Sequence, residues 1–440
     1  TTNDFFLAWT TTPWTLPSNT ALALGAKIKY VKIATYNQYT KELIQVYLAK
    51  DRLSVYFKPE AEVDELPPLV EGAKVYPWKI VSEHKGTDLA GMKYEQLLPY
   101  VQPEGKAFVT LLADFVSTSD GTGIVHLAPS FGADDKRVAD QNGIDSLTLV
   151  NRQGKLVDEV TDFAGEYVKA SYYKEEELEA ERIKQGRDKY LNVDERICIK
   201  LKEENKAFKV EKYEHNYPHC WRTDKPILYY PLKSWFIKTT AFKDRLVALN
   251  KTIHWKPKST GEGRFGNWLE NLVDWNLSRT RYWGTPLPIW RTEDGLEEKC
   301  IGSIQELKSE VQKANESLNL SQEINDDTLD LHKPFVDKLT LVSDSGKAMT
   351  REPDLIDVWF DSGAMPYAQR GLKNLDFNKP FGENGCADFI AEGVDQTRGW
   401  FFTLHTIATL LFDEVAYKNV IANGLVLDKD GNKMSIPLKR

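Results

Sequence analysis

Three consecutive stretches near the C-terminal end constrain the fold more than anything else in the sequence. Residues 387–391 read as a strand, 396–412 as a helix and 419–427 as a second strand, closed by the turn Asp428-Lys429-Asp430-Gly431. A strand, a helix and a strand in that order make a βαβ unit, and such a unit implies a parallel sheet. Ligands of parallel sheets bind beyond the carboxyl ends of the strands. Glu392-Gly393 and Gly424 fall at or near those ends.

The rest of the chain has a different texture. Residues 1–225 read as a strand-rich unit, with β-branched or apolar runs at 5–9, 31–34, 43–48 and 123–127 bounded by Gly, Pro and Asn. Helical patches interrupt them near 133–142 and 173–185. The charged run 174–182 (KEEELEAER) has the character of a solvated helix face. From about Pro226 tryptophans become frequent, and the second unit, 226–440, contains a polar insertion at about 291–352 with a helix near 303–316. The expected fold class is α/β throughout. A chain of 440 residues, 41% hydrophobic and 28% charged, can bury more than one core. No apolar run reaches the length of a membrane span, and no signal peptide opens the chain at Thr1. A net charge of -8 argues against a general nucleic-acid coat, though not against a large enzyme with a local basic track.

Two motifs in the first unit carry chemistry. In Trp9-Thr10-Thr11-Thr12-Pro13-Trp14-Thr15, three hydroxyls sit where a strand breaks, and their methyls would make a stiff pocket wall. In Gly121-Thr122-Gly123-Ile124-Val125-His126-Leu127-Ala128-Pro129, a glycine turn leads into a strand that delivers His126. Gly132-Ala133-Asp134-Asp135 then opens a helix. Carboxylates at a helix start suit the dipole, so capping explains one of Asp134 and Asp135, while the other could face a pocket and hold an ammonium group. The threonine motif alone reads equally well as structural, and a lone His126 is more often structural than catalytic.

Together they resemble the editing site of isoleucyl-tRNA synthetases. The valyl and leucyl enzymes usually carry an Arg within the threonine motif, where this chain has Thr12-Pro13-Trp14. Four blocks of the second unit resemble the C-terminal half of a class I synthetase catalytic domain. They are Ser278 to Trp290 (SRTRYWGTPLPIW), Asp357 to Gly363 (DVWFDSG), Glu392 to Trp400 (EGVDQTRGW) and Asn432-Lys433-Met434-Ser435. The expected architecture is therefore a strand-rich editing domain inserted in a Rossmann-like core, of which the second half is present.

The resemblance implies roles. Thr10, Thr11 and Thr12 would shape an editing pocket, His126 would position substrate or water, and Asp135 would bind the substrate ammonium. Trp359 and Trp400 would wall the isoleucine pocket, and Glu392, Gly393, Asp395 and Gln396 would hold the adenylate. Lys433, Met434 and Ser435 match the start of the loop that neutralises ATP phosphates. ATP with Mg2+ would be a substrate of the intact enzyme. The other implied partners are isoleucine and the isoleucine tRNA, and the enzyme would be a cytoplasmic monomer without a membrane. A valyl or leucyl enzyme, or a tRNA-binding piece without catalysis, remain the alternatives.

Three departures qualify the likeness. No HxGH or HGLP signature occurs, and Ile436-Pro437 follows Ser435 where the family has a second lysine, so loss of adenylate synthesis is expected of this piece. No anticodon-binding helical domain is expected within these 440 residues. Cys198, His215, His219 and Cys220 could be imagined as a zinc set, but Thr223 stands where a second cysteine would complete a CxxC pair, so no zinc is expected. All four cysteines, Cys198, Cys220, Cys300 and Cys386, read as reduced thiols.

Overall fold

A computed structural model describes the chain except residues 1–3, 71, 74, 221, 326–328, 370–384 and 432–440. It divides into two compact units, Thr1–Leu232 and Lys233–Arg440. The division falls a few residues beyond the change of texture expected at Pro226.

The first unit is built on two sheets. One has the order β1 (Asp4–Phe6), β4 (Leu43–Ala49), β3 (Lys29–Tyr36), β5 (Trp78–Lys85), with β1 parallel to β4 and the other pairs antiparallel. The other has the order β6 (Val109–Leu112), β2 (Ala21–Leu24), β7 (Ile124–Leu127). Period-two alternation explains how β2 is buried on both faces. Ala21 and Ala23 pack with Leu127, Val138 and Ala139 of the Ala133–Asn142 helix side. Leu22 and Leu24 pack with Tyr30, Tyr47 and Ile124. Small residues on one face admit the helix closely, and large ones on the other fill the space toward β3 and β4. The opposite side of β3 and β4 buries Val31, Ile33, Val46 and Leu48 against Phe57 and Trp78.

The second unit has the expected parallel sheet, in the order β17 (Ala387–Gly393), β18 (Tyr417–Asn423), β9 (His254–Lys256). The helix Trp400–Phe412 buries Phe401, Phe402, Leu404 and Ile407 in a core with Trp255, Phe265, Tyr417 and Val420. Each such side chain is worth about 1.5–3 kcal/mol of transfer free energy, which is what holds a helix of low charge in place. Two short antiparallel pairs accompany it: β8 (Phe236–Ile237) with β10 (Trp275–Asn276), and β11 (Ser278–Arg279) with β16 (Leu355–Ile356). The polar insertion carries a small core of its own. Strands β13 (Glu298–Cys300), β12 (Ile289–Thr292), β15 (Ala348–Arg351) and β14 (Leu341–Val342) form an antiparallel sheet. Trp290, Leu307 and Val311 cluster there with Met349, the latter pair of helix residues coming from Ile304–Leu318.

Several boundaries differ from expectation. The strand read over 5–9 ends at Phe6, and Trp9 makes only an isolated bridge to Val125. The helix read over 396–412 is a 3-10 turn, Val394–Arg398, followed after Gly399 by the α-helix. The strand read over 419–427 begins at Tyr417 and stops at Asn423, because β17 ends at Gly393 and supplies no further partner. Leu425, Val426 and Leu427 continue the apolar run but lie exposed.

Candidate functional site

The threonine segment lies beside β7. The Trp9 amide donates to Ile124 O (3.3 Å), and Pro13 starts a short 3-10 helix, Pro13–Ser18, where its missing N–H costs nothing. The Thr12 amide donates to Thr10 Oγ1 (3.0 Å), and the two hydroxyls stand 3.5 Å apart. Thr12 Oγ1 is 3.5 Å from Thr15 Oγ1, which in turn is 3.2 Å from Nε2 of the buried His126. Among the described residues Thr11, half-buried, makes no side-chain hydrogen bond, so its hydroxyl is available to a ligand.

This chain of contacts fixes the histidine tautomer. The Thr15 hydroxyl has one hydrogen and donates it to Thr12 O (2.8 Å). Toward His126 it must therefore accept, so Nε2 carries the proton and Nδ1 is a bare acceptor. Nδ1 is buried and has no partner among the described residues. Burial pushes the ring's pKa down to about 4, so His126 is neutral near pH 7. A buried, unsatisfied acceptor is costly unless a ligand donates to it.

Neither Asp134 nor Asp135 makes the side-chain cap bond. The Ala133–Asn142 helix is preceded by Gly132, and no side chain accepts there as an N-cap. Asp134 is exposed and pairs with Arg137 (3.3 Å). Asp135, half-buried in the first turn, folds back so that Oδ2 accepts from the Ala128 amide (2.9 Å), two residues after His126. Burial raises its pKa, with the bond from Ala128 opposing. Among the described residues no lysine or arginine pairs with it. Gly132 is required by this arrangement: a Cβ there would lie 2.9 Å from the Asp135 carboxyl carbon and 3.0–3.1 Å from its oxygens.

Sequence reasoning missed the supports of this site. Asp194, at the start of the Val193–Glu203 helix, accepts from the Trp14 amide (2.7 Å) and stands 3.7 Å from Lys169. Burial dominates both groups, raising the Asp194 pKa and lowering that of Lys169. Asn19 donates to Ala21 O (2.9 Å) and Leu127 O (3.3 Å) and accepts from the Tyr94 hydroxyl (2.7 Å), tying the segment's end to β7. The capping pair Asn192 and Glu195 marks a helix start in the sequence, but nothing there links Asp194 to a loop 180 residues away.

In the second unit Glu392 and Gly393 end β17, in register with Ala422 and Asn423 of β18. The 3-10 turn that follows carries Asp395 and Gln396. Gln396 Oε1 accepts from the Trp400 amide (2.9 Å), and its Nε2 is 3.4 Å from Asp395 Oδ2. The Trp400 indole donates to Ser362 O (3.1 Å), in the same short helix, Val358–Gly363, as Trp359. Gly399 lets them meet: a Cβ there would come within 2.7 Å of Gln396 Oε1 and 3.1–3.2 Å of the Trp359 ring. Trp359, Gln396 and Trp400 are thus brought together at the carboxyl end of the sheet, with Trp359 40% exposed and able to contact a ligand. Asp357 caps the Val358–Gly363 helix and is buried against Arg279 Nη2 (2.8 Å) and the Trp275 indole (3.1 Å). Arg279, itself partly exposed, thus pairs with a buried carboxylate and joins two of the four sequence blocks. Lys433, Met434 and Ser435 lie outside the described residues. Cys198, Cys220, Cys300 and Cys386 are all free thiols, and among the described residues no three His, Cys, Asp or Glu side chains gather as a metal site. No described helix is long and apolar enough to cross a membrane.

Residues 10–440 match the family described as tRNA synthetases class I (I, L, M and V), and the chain belongs to that family. Its high-identity matches include isoleucine–tRNA ligases of several bacteria. The chain is 66% identical to the isoleucine–tRNA ligase of Cytophaga hutchinsonii, covering 98% of this chain and 40% of that protein. It is 54% identical to that of Bacteroides fragilis (98% and 40%) and 43% identical to that of Clostridium acetobutylicum (98% and 36%). It thus spans about two-fifths of the length of these relatives. Among solved structures, the editing domain of the P. knowlesi cytosolic leucyl-tRNA synthetase is 17% identical over 32% of this chain and 52% of that one. The TM-score is 0.23.

Proposed function

We propose that the first unit is an editing module that hydrolyses valine wrongly esterified to the isoleucine tRNA. A pocket for isoleucine cannot reject valine strongly, since one methylene carries little binding energy; isoleucyl enzymes are the standard case of this limit. A second, smaller pocket that hydrolyses the wrong ester meets the need. The observation that carries the reading is Asp135: a half-buried carboxylate held by the Ala128 amide, with no lysine or arginine among the described residues against it. A cation brought there gains a partner, and an α-ammonium group supplies one. Thr11 offers an unused hydroxyl, and His126 Nδ1 offers a neutral acceptor to water or to a ribose hydroxyl. Water attacks the ester carbonyl, the bond to the ribose oxygen breaks, and that oxygen leaves with a proton, releasing valine and intact tRNA. No covalent intermediate is needed.

In the whole protein the second unit would complete ATP-dependent attachment of isoleucine to its tRNA in the cytoplasm, by a monomer. Trp359 and Trp400 would flank the isoleucine side chain, while Glu392, Gly393, Asp395 and Gln396 would hold the adenylate. The 440 residues alone, without an HxGH signature, would not form it.

The test is deacylation of a panel of mischarged tRNAs. Asp135→Ala is expected to lose about a hundredfold or more of the activity on valine-charged isoleucine tRNA, the cost of a buried charge without its partner. The exposed Asp134→Ala is expected to keep most of it. Activity confined to threonine-charged valine tRNA would move the chain to the valyl branch. Binding of tRNA with hydrolysis of no ester would reduce the unit to a binding module.

A further inference from the structure

A row of aromatic rings in the first unit is used by nothing described so far. Tyr213, His215, Tyr217 and His219 occupy alternate positions of an extended segment, and alternate side chains of an extended chain share one side. Successive ring centres are 6.2, 6.0 and 6.3 Å apart. Tyr213, His215 and His219 are exposed and Tyr217 is half-buried. Solvent-exposed rings at this density are unusual, because each forgoes a large burial energy.

The row is attached to both ends of the threonine segment. Tyr213 packs edge-on against Trp9 at 5.2 Å, just before Thr10. The Lys169 ammonium lies 4.7 Å from the Tyr217 ring centre and 5.7 Å from that of Trp14, just after Pro13. The Tyr213 hydroxyl is anchored by Asp120 (2.6 Å), which fixes the first ring. His215 and His219 each turn Nδ1 to a backbone carbonyl, of Asn216 (3.1 Å) and Tyr217 (2.8 Å), leaving Nε2 as an outward acceptor. We propose that this row is a stacking platform for the unpaired 3′ end of an RNA, leading its last nucleotides along the threonine segment. Rings at this spacing offer faces and edges to successive bases, whatever their sequence. The segment's Lys209 and Lys212 are balanced by Glu211 and Glu214, so binding draws on stacking more than on release of counterions and depends only weakly on salt. The choice of RNA as occupant rests on the editing reading.

The experiment uses the full 440-residue chain and two fluorescent RNA hairpins, one with a short unpaired 3′ strand and one blunt. Wild type is expected to bind the overhang hairpin more tightly than the blunt one. Tyr213→Ala and His215→Ala are each expected to weaken overhang binding by about fivefold to 150-fold, the span of one base–ring stack, with little change in salt dependence. Tyr213→Phe keeps the ring and is expected to keep the affinity, which separates stacking from the Asp120 bond. Circular dichroism checks that the variants fold. Equal binding of the two hairpins by wild type, or wild-type affinity in both alanine variants, overturns the proposal. The assay involves no hydrolysis, so a chain that binds the overhang but deacylates nothing would refute the editing reading and leave the platform standing.

Discussion

The role given to His126 can be tested through pH. Burial lowers its pKa from an ordinary value near 6.5 to about 4. A difference of about 2.5 units makes charging the ring in place cost about 3 kcal/mol. At pH 7 the ring is therefore neutral in almost every molecule, and its Nδ1 accepts rather than titrates. The informative variant is His126→Gln, whose amide offers an NH2 group as donor and a carbonyl oxygen as acceptor and has no pKa in this range. Deacylation of valine-charged isoleucine tRNA is measured for both proteins between about pH 5.5 and 8, and the two rates are divided, which cancels the ester's own sensitivity to hydroxide. The ratio is expected to stay constant. A general base of ordinary pKa would instead lose about tenfold per pH unit below about 6.5. A ratio that bends near pH 6.5 would mean that the ring titrates at its ordinary value and would refute the role of a neutral, non-titrating acceptor given to His126. Stability follows with its own sign. The folded pKa is depressed, so as pH falls the unfolded chain takes up the proton first. His126 thus takes stability away between about pH 6.5 and 4, to a limit of about 3 kcal/mol, and His126→Gln is expected to narrow that acid loss in urea titrations.

Two further outcomes follow from packing. Gly132→Ala adds no backbone strain, since φ is -149°, but its Cβ meets the Asp135 carboxylate. It is expected to break the bond to the Ala128 amide, cost about 1–3 kcal/mol in urea unfolding and match Asp135→Ala in deacylation; full activity would show that the carboxylate's position is immaterial. Asp357→Ala is expected to destabilise the second unit by about 1 kcal/mol for the lost helix cap and a further 1–3 kcal/mol or so for the Trp275 indole left without its acceptor, while Asp357→Asn keeps the cap through its one amide oxygen and still loses the indole bond; equal losses in the two variants would mean that the cap is not what matters.

The sequence makes some of this legible and hides the rest for physical reasons. Periodicity finds elements that are buried on one face or throughout, so 133–142 and the βαβ unit are readable from pattern alone. It fails where burial and pairing part company. Leu425 and Val426 look like strand but lie beyond the last paired residue of β18, and Trp9 looks like the end of β1 but only bridges to Val125. Gly399 interrupts a helix that composition would continue, because Trp359 and Gln396 need the space of its missing side chain. In the site, the motif residues were visible because they are close in sequence. Asp194 was not, since its link to Trp14 exists only in three dimensions, and the direction of Asp135, toward Ala128 rather than its own helix cap, depends on how β7 meets the helix.

The central claim is that the first unit distinguishes a wrong ester from the right one. The direct measurement is the rate at which the 440-residue chain deacylates isoleucine tRNA charged with valine and with isoleucine, each at saturating tRNA. The account predicts hydrolysis of the valyl ester well above the protein-free rate and little or none of the isoleucyl ester. No hydrolysis of the valyl ester, or equal rates on both, would contradict it.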